Sequence, residues 1–496
     1  MGIVIRQSLK GTIVTYIGAF IGFITTMFLV TEYLEPEDIG LTKVILEVGL
    51  LFAAFAQLGT TSSALRFFPY FEDKEKNHNG FFFYLVLIPL IGCLIVIPVY
   101  LLLKEPVNLF FEKNSSLFLS YYYWVIPLIV FLVFWSVFEA YATLNMRIAV
   151  PKFVREVGVR LMLVVVYLLY GFHIISRDGF VGGYIAVYAV AMLAVLFYVS
   201  RIAPVSLKHD YSYVSKPLKK DFSKYTLFLL TSALGGSILG KLDIFMVSSQ
   251  MGLDYTGIYT IAFYMATVID IPSRSISAIC MPIAASAMKN GDTREANQLY
   301  KKVSLHQLMS GGLIFTIIWI NIDSIFAIIP NGNTYVLGKW VVFFIGLSKL
   351  LEMGLGFGGT LIKFSKYYYW SLFFVFIVTG LGVLTNYLLI PVLGVTGASI
   401  ATLISSIISL SFQQWIVFRK IKGNPFSIGI LKLFGVIVAL FVINYFLPQV
   451  SNVIIDIIYR TALVGIVALV LVYLLKISTD LNGIIDGLIK RIRKRS

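Results

Sequence analysis

Apolar runs of about twenty residues recur along the whole chain, separated by short polar connections. They predict membrane spans near 11–30, 44–65, 81–103, 121–143, 157–175, 180–200, 225–249, 255–280, 303–320, 339–361, 369–389, 396–418, 431–447 and 459–476. A run of this length, coiled as a helix, crosses a hydrocarbon core of about 30 Å. The pattern therefore predicts an all-α polytopic membrane protein of about fourteen transmembrane helices.

The polar connections sort their charges. Residues at span edges belong with the adjoining connection. Thirty-one of the 40 Lys and Arg residues then fall in one alternating set of connections plus the two termini. Six fall in the other set, and Lys241, Arg274 and Lys349 lie inside apolar stretches. Cytoplasmic loops of a multi-pass protein retain Lys and Arg in this way. The bias places both termini in the cytoplasm. The basic side includes Lys208 to Lys224, Arg419, Lys420 and Lys422, and the tail Lys490, Arg491, Arg493, Lys494 and Arg495. The opposite side carries few cations, Arg177 and Arg460 among them. Tyr121 to Trp124 and Tyr367 to Trp370 open two spans, where aromatic rings suit the membrane interface.

Composition agrees and narrows the classes. The 496 residues are 58% hydrophobic and 13% charged, with mean hydropathy +0.88. A net charge of +15 raises the question of nucleic acid. The basic residues are dispersed over many short loops, with no soluble region to present a binding face, so nucleic acid is excluded as a partner. Attraction to anionic membrane lipids is the expectation instead. Cys93 and Cys280 both sit in apolar runs, and His78, His173, His209 and His306 are scattered. Neither a disulfide framework nor a metal site is expected. No cleavable signal peptide is expected either, because no small-residue cleavage site closes the first apolar run.

Two short features stand out in the connections. Asn290-Gly291-Asp292-Thr293-Arg294-Glu295 reads as a turn and cap before a short cytoplasmic helix reaching Lys302. The segment from Asp480 to Ile492 reads as an amphipathic surface helix, with Leu481, Ile484, Ile485, Leu488 and Ile489 on one side. An internal repeat also emerges. Phe28-Leu29-Val30 and Gly40 recur as Phe245-Met246-Val247 and Gly257, an offset of 217 residues that also relates Gly18 to Gly235. Pro69 and Pro282 match nearly in register. The copies are six spans apart and therefore parallel, which predicts two six-helix lobes about an axis along the membrane normal. The expected organisation is an N-terminal lobe over 1–200, a cytoplasmic linker over 201–224, a C-terminal lobe over 225–420, and two extra helices with a basic tail over 421–496.

Enzyme-like motifs dissolve on inspection. Gly235 to Lys241 resembles a P-loop, but Leu242 stands where a magnesium-binding hydroxyl belongs. Gly354 to Gly359 contains GxGxxG inside a span, where close helix packing accounts for the glycines. Charges inside spans say more, since each costs roughly 2.5–3.5 kcal/mol at the centre of a lone helix. Lys349 and Glu352 lie three apart on one helical face, either as a structural pair or as part of a site. Asp270 and Arg274 flank Pro272, which makes Pro272 a hinge candidate. Lys241 and Asp243 lie two apart toward the outer end of the seventh span. Glu47 and Glu139 sit near span ends and read as interfacial. Gln57, Asn145 and Asn386 suit either a polar route or helix–helix hydrogen bonds. Lys241, Arg274 and Lys349 are the candidate substrate-binding cations. Asp243, Asp270, Glu352 and Glu139 are the candidate coupling or structural acids.

Several segments resemble the polysaccharide transporter and O-antigen flippase family. They are Leu34-Glu35-Pro36-Glu37-Asp38-Ile39-Gly40-Leu41, Lys241 to Val247 followed by Thr256-Gly257-Ile258-Tyr259, Pro282-Ile283-Ala284 with Gly291-Asp292, Pro330-Asn331-Gly332 with Tyr335, and Pro391 to Ala398. The resemblance implies membership of the superfamily that also holds multidrug and toxin extrusion transporters and lipid II flippases. It implies two lobes, a central cationic cavity, and movement of an undecaprenyl-pyrophosphate-linked oligosaccharide between leaflets of a bacterial inner membrane. No cofactor is expected, with a proton or sodium gradient as candidate energy source and other glycan assembly proteins as candidate partners. The lipid II branch has basic residues in its first helix, whereas this chain has none between Lys10 and Lys43. One alternative is a cation-coupled multidrug exporter of the same architecture, which twelve spans would suit better. Another is a membrane glycan polymerase, which would need a long outer loop bearing Arg or His.

Overall fold

The computed structural model describes residues 3–73, 77–208, 221, 226 and 241–493. All regular elements among them are helical. The expected linker 201–224 and seventh span 225–249, with the P-loop-like glycines, lie largely outside the described residues. Two compact units form, Met1–Thr260 and Ile261–Ser496.

In the first unit, α1 (Ile3–Ile24) runs through a π-helical stretch (Thr25–Val30) into a last turn ending at Tyr33. Next come α2 (Pro36–Ala56), α3 (Thr60–Phe71), α4 (Phe81–Leu102), α5 (Val125–Leu144), α6 (Val159–Gly171), α7 (Arg177–Ile202) and α8 (Leu242–Met251). Pro36 sits in the first turn of α2, where its missing N–H costs nothing. The core forms where α2 and α7 both pack on α5. Gly49 lets Leu128 and Leu132 approach α2, and Gly92 of α4 lies against the Ala56 carbonyl.

The repeat found in sequence is a physical contact here. Gly252 alone separates α8 from α9 (Leu253–Thr267). A Cβ on Gly40 would lie 2.0 Å from the Leu253 carbonyl oxygen, and a Cβ on Gly257 would lie 2.0 Å from that of Pro36. Pro36 and Leu253 are themselves 217 residues apart. The contact is thus reciprocal within the first unit: each glycine meets the backbone at the start of the other helix. Only glycine fits at either position.

In the second unit, a 3-10 turn (Val268–Asp270) leads into α10 (Ile271–Lys289). There follow α11 (Thr293–Ile320), α12 (Lys339–Leu355), α13 (Phe357–Phe364), α14 (Trp370–Ile416), α15 (Ile428–Phe446), α16 (Val453–Leu474) and α17 (Thr479–Arg493). α11 is central, packing on α10, α12, α15 and α16. Its start is capped by Asp292, which accepts from the Glu295 N–H at 2.9 Å. The short cytoplasmic helix expected to end at Lys302 instead continues unbroken to Ile320, because no helix-breaking residue separates it from the ninth span.

Ten helices among the described residues are long and apolar enough to cross a membrane, or eleven if the bent pair α12–α13 is one span. The chain is a multi-pass membrane protein of all-helical fold. The expected number of fourteen is not confirmed: the seventh expected span lies largely outside the described residues, and others differ for local reasons. The expected spans 369–389 and 396–418 form the two halves of α14, whose 47 residues would stretch about 70 Å if straight, more than twice the hydrocarbon thickness. Gly394, at φ 60° and ψ −142°, breaks it inside. The expected fifth span, 157–175, starts in a π-helical stretch (Val154–Gly158) that carries Arg155 and Glu156, and its α-helix covers only Val159–Gly171, 13 residues. The glycine-rich segment 354–359 is where α12 and α13 meet at 44°. Tyr300 of α11, fully buried, places its hydroxyl 2.8 Å from both the Leu355 carbonyl freed by the bend and the Gln414 side chain.

Candidate functional site

Two of the three candidate cations come together in the second unit. The 3-10 turn ends at Asp270, and Pro272 occupies the first turn of α10 rather than a helix middle. The hinge candidate therefore marks the junction between two helical segments. One turn on, Arg274 Nε lies 3.7 Å from Asp270 Oδ2, and the Arg274 side chain is 63% exposed. The Ser273 hydroxyl donates to the Asp270 carboxylate. On α12, Lys349 Nζ lies 2.7 Å from Glu352 Oε2, with Lys349 only 22% exposed. Asp270 and Arg274 are within electrostatic range of Lys349. From α11, Gln307 donates to Ser277 Oγ at 3.0 Å, extending the polar strip along α10. The four charges of this cluster balance. Arg274 is the least constrained, long-paired and open to an incoming anion.

Lys241 belongs to the first unit and to a different cluster. It pairs with Glu47, which also receives Lys43 at 2.7 Å. Glu47 was expected at the interface, but it is 9% exposed, buried between two lysines. The spacing of Lys43 and Glu47, four apart on α2, was its only local sign. Lys241 lies 194 positions away in sequence, and no periodicity reports such a partner. Asp243 accepts from the Tyr259 hydroxyl at 2.8 Å. Glu139 pairs with Arg155, whose guanidinium sits 5.4 Å over the Trp135 ring.

The two arginines that stood out on the cation-poor side have partners. Arg177 Nε lies 3.0 Å from Asp38 Oδ1, and the Tyr170 hydroxyl donates to Asp38 Oδ2 at 2.9 Å. Arg460 is 6% exposed. It binds Asp456 at 2.8 Å, the Asn444 side chain at 2.7 Å and the Pro448 carbonyl at 3.2 Å. These are staples between helix ends. Gln57, Asn145 and Asn386 engage groups four residues away on or beside their own helices. His306 binds the Lys302 carbonyl and Ser478 Oγ. Among the described residues, no three His, Cys, Asp or Glu side chains gather as a metal site would require.

The fold is similar to solved transporters. A lipid II flippase, MurJ, in an inward closed conformation aligns with TM-score 0.74 at 14% identity, covering 94% of this chain and 98% of its own. An inward-facing multidrug resistance MATE transporter of the MOP superfamily aligns with TM-score 0.59 at 14% identity, over 80% of this chain and 94% of its own. A MOP superfamily transporter from Pyrococcus furiosus, described as having a binding pocket of reversed polarity, aligns with TM-score 0.53 at 13% identity, over 85% and 96%. No curated protein sequence matches the chain. The sequence profile of the polysaccharide biosynthesis protein family matches residues 6–288, more than half of the chain. By that match the chain belongs to the polysaccharide biosynthesis protein family, on a flippase and transporter fold.

Proposed function

We propose that this protein moves a polyprenyl-pyrophosphate-linked oligosaccharide, such as an O-antigen or capsule repeat unit, from the inner to the outer leaflet of a bacterial inner membrane. Both termini face the cytoplasm in this reading, as the loop charges require. The observation that carries it is the exposed Arg274 guanidinium, set among charged partners inside apolar helices of a polysaccharide biosynthesis protein. A sugar head group and pyrophosphate lose several kcal/mol per unsatisfied polar group in hydrocarbon. Hydrated, ionised side chains at membrane depth lower that barrier, while the polyprenyl tail stays in lipid. Arg274 and Lys349 bind the anionic head, and Asp270 and Glu352 take the cations back after release. Such exchange lets the two conformations alternate. Asp270, Glu352, Asp243 and Glu139 are the acids available to couple the cycle to a proton or sodium gradient.

The test is the double variant Arg274→Gln, Lys349→Gln in a strain that depends on this gene for surface glycan. Loss of the glycan, with the variant at normal abundance in the membrane, is expected. Normal glycan export by that variant eliminates the site. Drug sensitivity without glycan loss in the deletion strain would make the protein a multidrug exporter instead.

A further inference from the structure

We propose that Glu47 is a tethered stand-in for phosphate: it occupies an anion site made by Lys43 and Lys241, and the diphosphate of the lipid-linked substrate displaces it. The inference rests on the flippase reading and adds a second contact for the same head group. Lys43 Nζ meets Glu47 Oε1 at 2.7 Å, and Lys241 meets Glu47 Oε2. One ammonium thus sits on each carboxylate oxygen. Side-chain exposures are 27% for Lys43, 12% for Glu47 and 13% for Lys241. Tyr184 and Tyr188 of α7, both buried, lie in electrostatic range of Glu47.

The three ions leave one positive charge in excess at a shielded position, and such a charge is costly without a counter-ion. Two ammonium groups bridged by two oxygens of one anion is also the arrangement a phosphate oxyanion accepts, through charge-assisted hydrogen bonds of the same kind. A diphosphate carries more charge and more acceptor oxygens than a carboxylate. Its two negative charges match the two lysines once the Glu47 side chain has swung out of the site. The repeat argues that this is not a requirement of the fold. At the offset of 217 residues, Lys43, Glu47 and Lys241 correspond to Thr260, Tyr264 and Ile24. The symmetric copy is built without any of the three charges, although Gly40 and Gly257 are kept in both.

The experiment uses the full chain in lipid nanodiscs of neutral lipid. A carbodiimide couples a carboxylate only to an amine already in contact with it. Mass spectrometry should therefore find a Glu47–Lys241 cross-link in the unliganded protein. Saturating undecaprenyl pyrophosphate should reduce its yield several-fold, and undecaprenol and phosphatidylglycerol should not. In parallel, Glu47→Gln should bind undecaprenyl pyrophosphate about tenfold more tightly than the parent, the low end for a close charge pair. A cross-link yield unchanged by bound undecaprenyl pyrophosphate overturns the proposal while leaving the flippase reading in place. Equal suppression by phosphatidylglycerol overturns the diphosphate assignment. A parent protein that binds undecaprenyl pyrophosphate no better than undecaprenol overturns both. The cross-link is read on the unaltered chain, so a poorly folding variant does not remove the test.

Discussion

The reciprocal glycine contact yields the sharpest mechanical prediction. In Gly257→Ala, the added Cβ would stand 2.0 Å from the Pro36 carbonyl oxygen, where real Cβ atoms keep at least 3.0 Å. The starts of α2 and α9 must separate by about 1 Å, and the atom in the way is backbone, which no rotamer change relieves. Overpacking of this kind costs about 1–3 kcal/mol. If that cost falls on one of two alternating conformations, its population drops roughly five- to 150-fold relative to the other. Spin labels at Glu35→Cys and Asp254→Cys, both exposed positions flanking the contact, report the separation by pulsed electron resonance once Cys93 and Cys280 are replaced by Ser. The parent should give one short distance, and Gly257→Ala should shift weight to a longer one. Gly40→Ala should do the same, and the double variant should add less than the sum because both relieve one contact. Superimposable distance distributions for parent and Gly257→Ala would refute the claim that this contact is closed.

Other outcomes follow from buried polar groups. Arg460→Ala strands Asp456, 6% exposed, and should cost about 3–5 kcal/mol, read as a large fall in the detergent-solubilised unfolding temperature. Tyr300→Phe uncaps the Leu355 carbonyl at the α12–α13 bend and should cost about 1–3 kcal/mol in the same assay. Asp292→Ala removes the cap of α11 and should cost about 1 kcal/mol, a small shift that leaves glycan export intact.

Much of the architecture was legible because hydrocarbon imposes a plain code of apolar length. The repeat was legible for another reason. Gly40 and Gly257 are held in place by a backbone-to-backbone contact that tolerates no side chain, so the symmetry persisted in the letters. Lys349 with Glu352 was readable as a pair, since three residues along a helix is a local distance. Glu47 was not. Its place near a span end suggested an interface, and only tertiary structure brings Lys241 onto it. The continuous α11 was missed because a hydrophilic start and an apolar end look like two elements, while nothing between Lys302 and Val303 stops a helix. The two spans within α14 were legible as two. A single glycine, Gly394, divides them.

The most direct measurement of the account is transport by the purified chain. Liposomes reconstituted with the protein, and preloaded with an undecaprenyl-pyrophosphate-linked oligosaccharide in both leaflets, are treated outside with a glycan-cleaving enzyme that does not cross the bilayer. Protein-containing vesicles should surrender nearly all of the lipid-linked glycan, and vesicles carrying Arg274→Gln, Lys349→Gln should surrender only the outer half. If the unaltered protein leaves the inner half as protected as protein-free vesicles do, this chain does not move that substrate across the membrane.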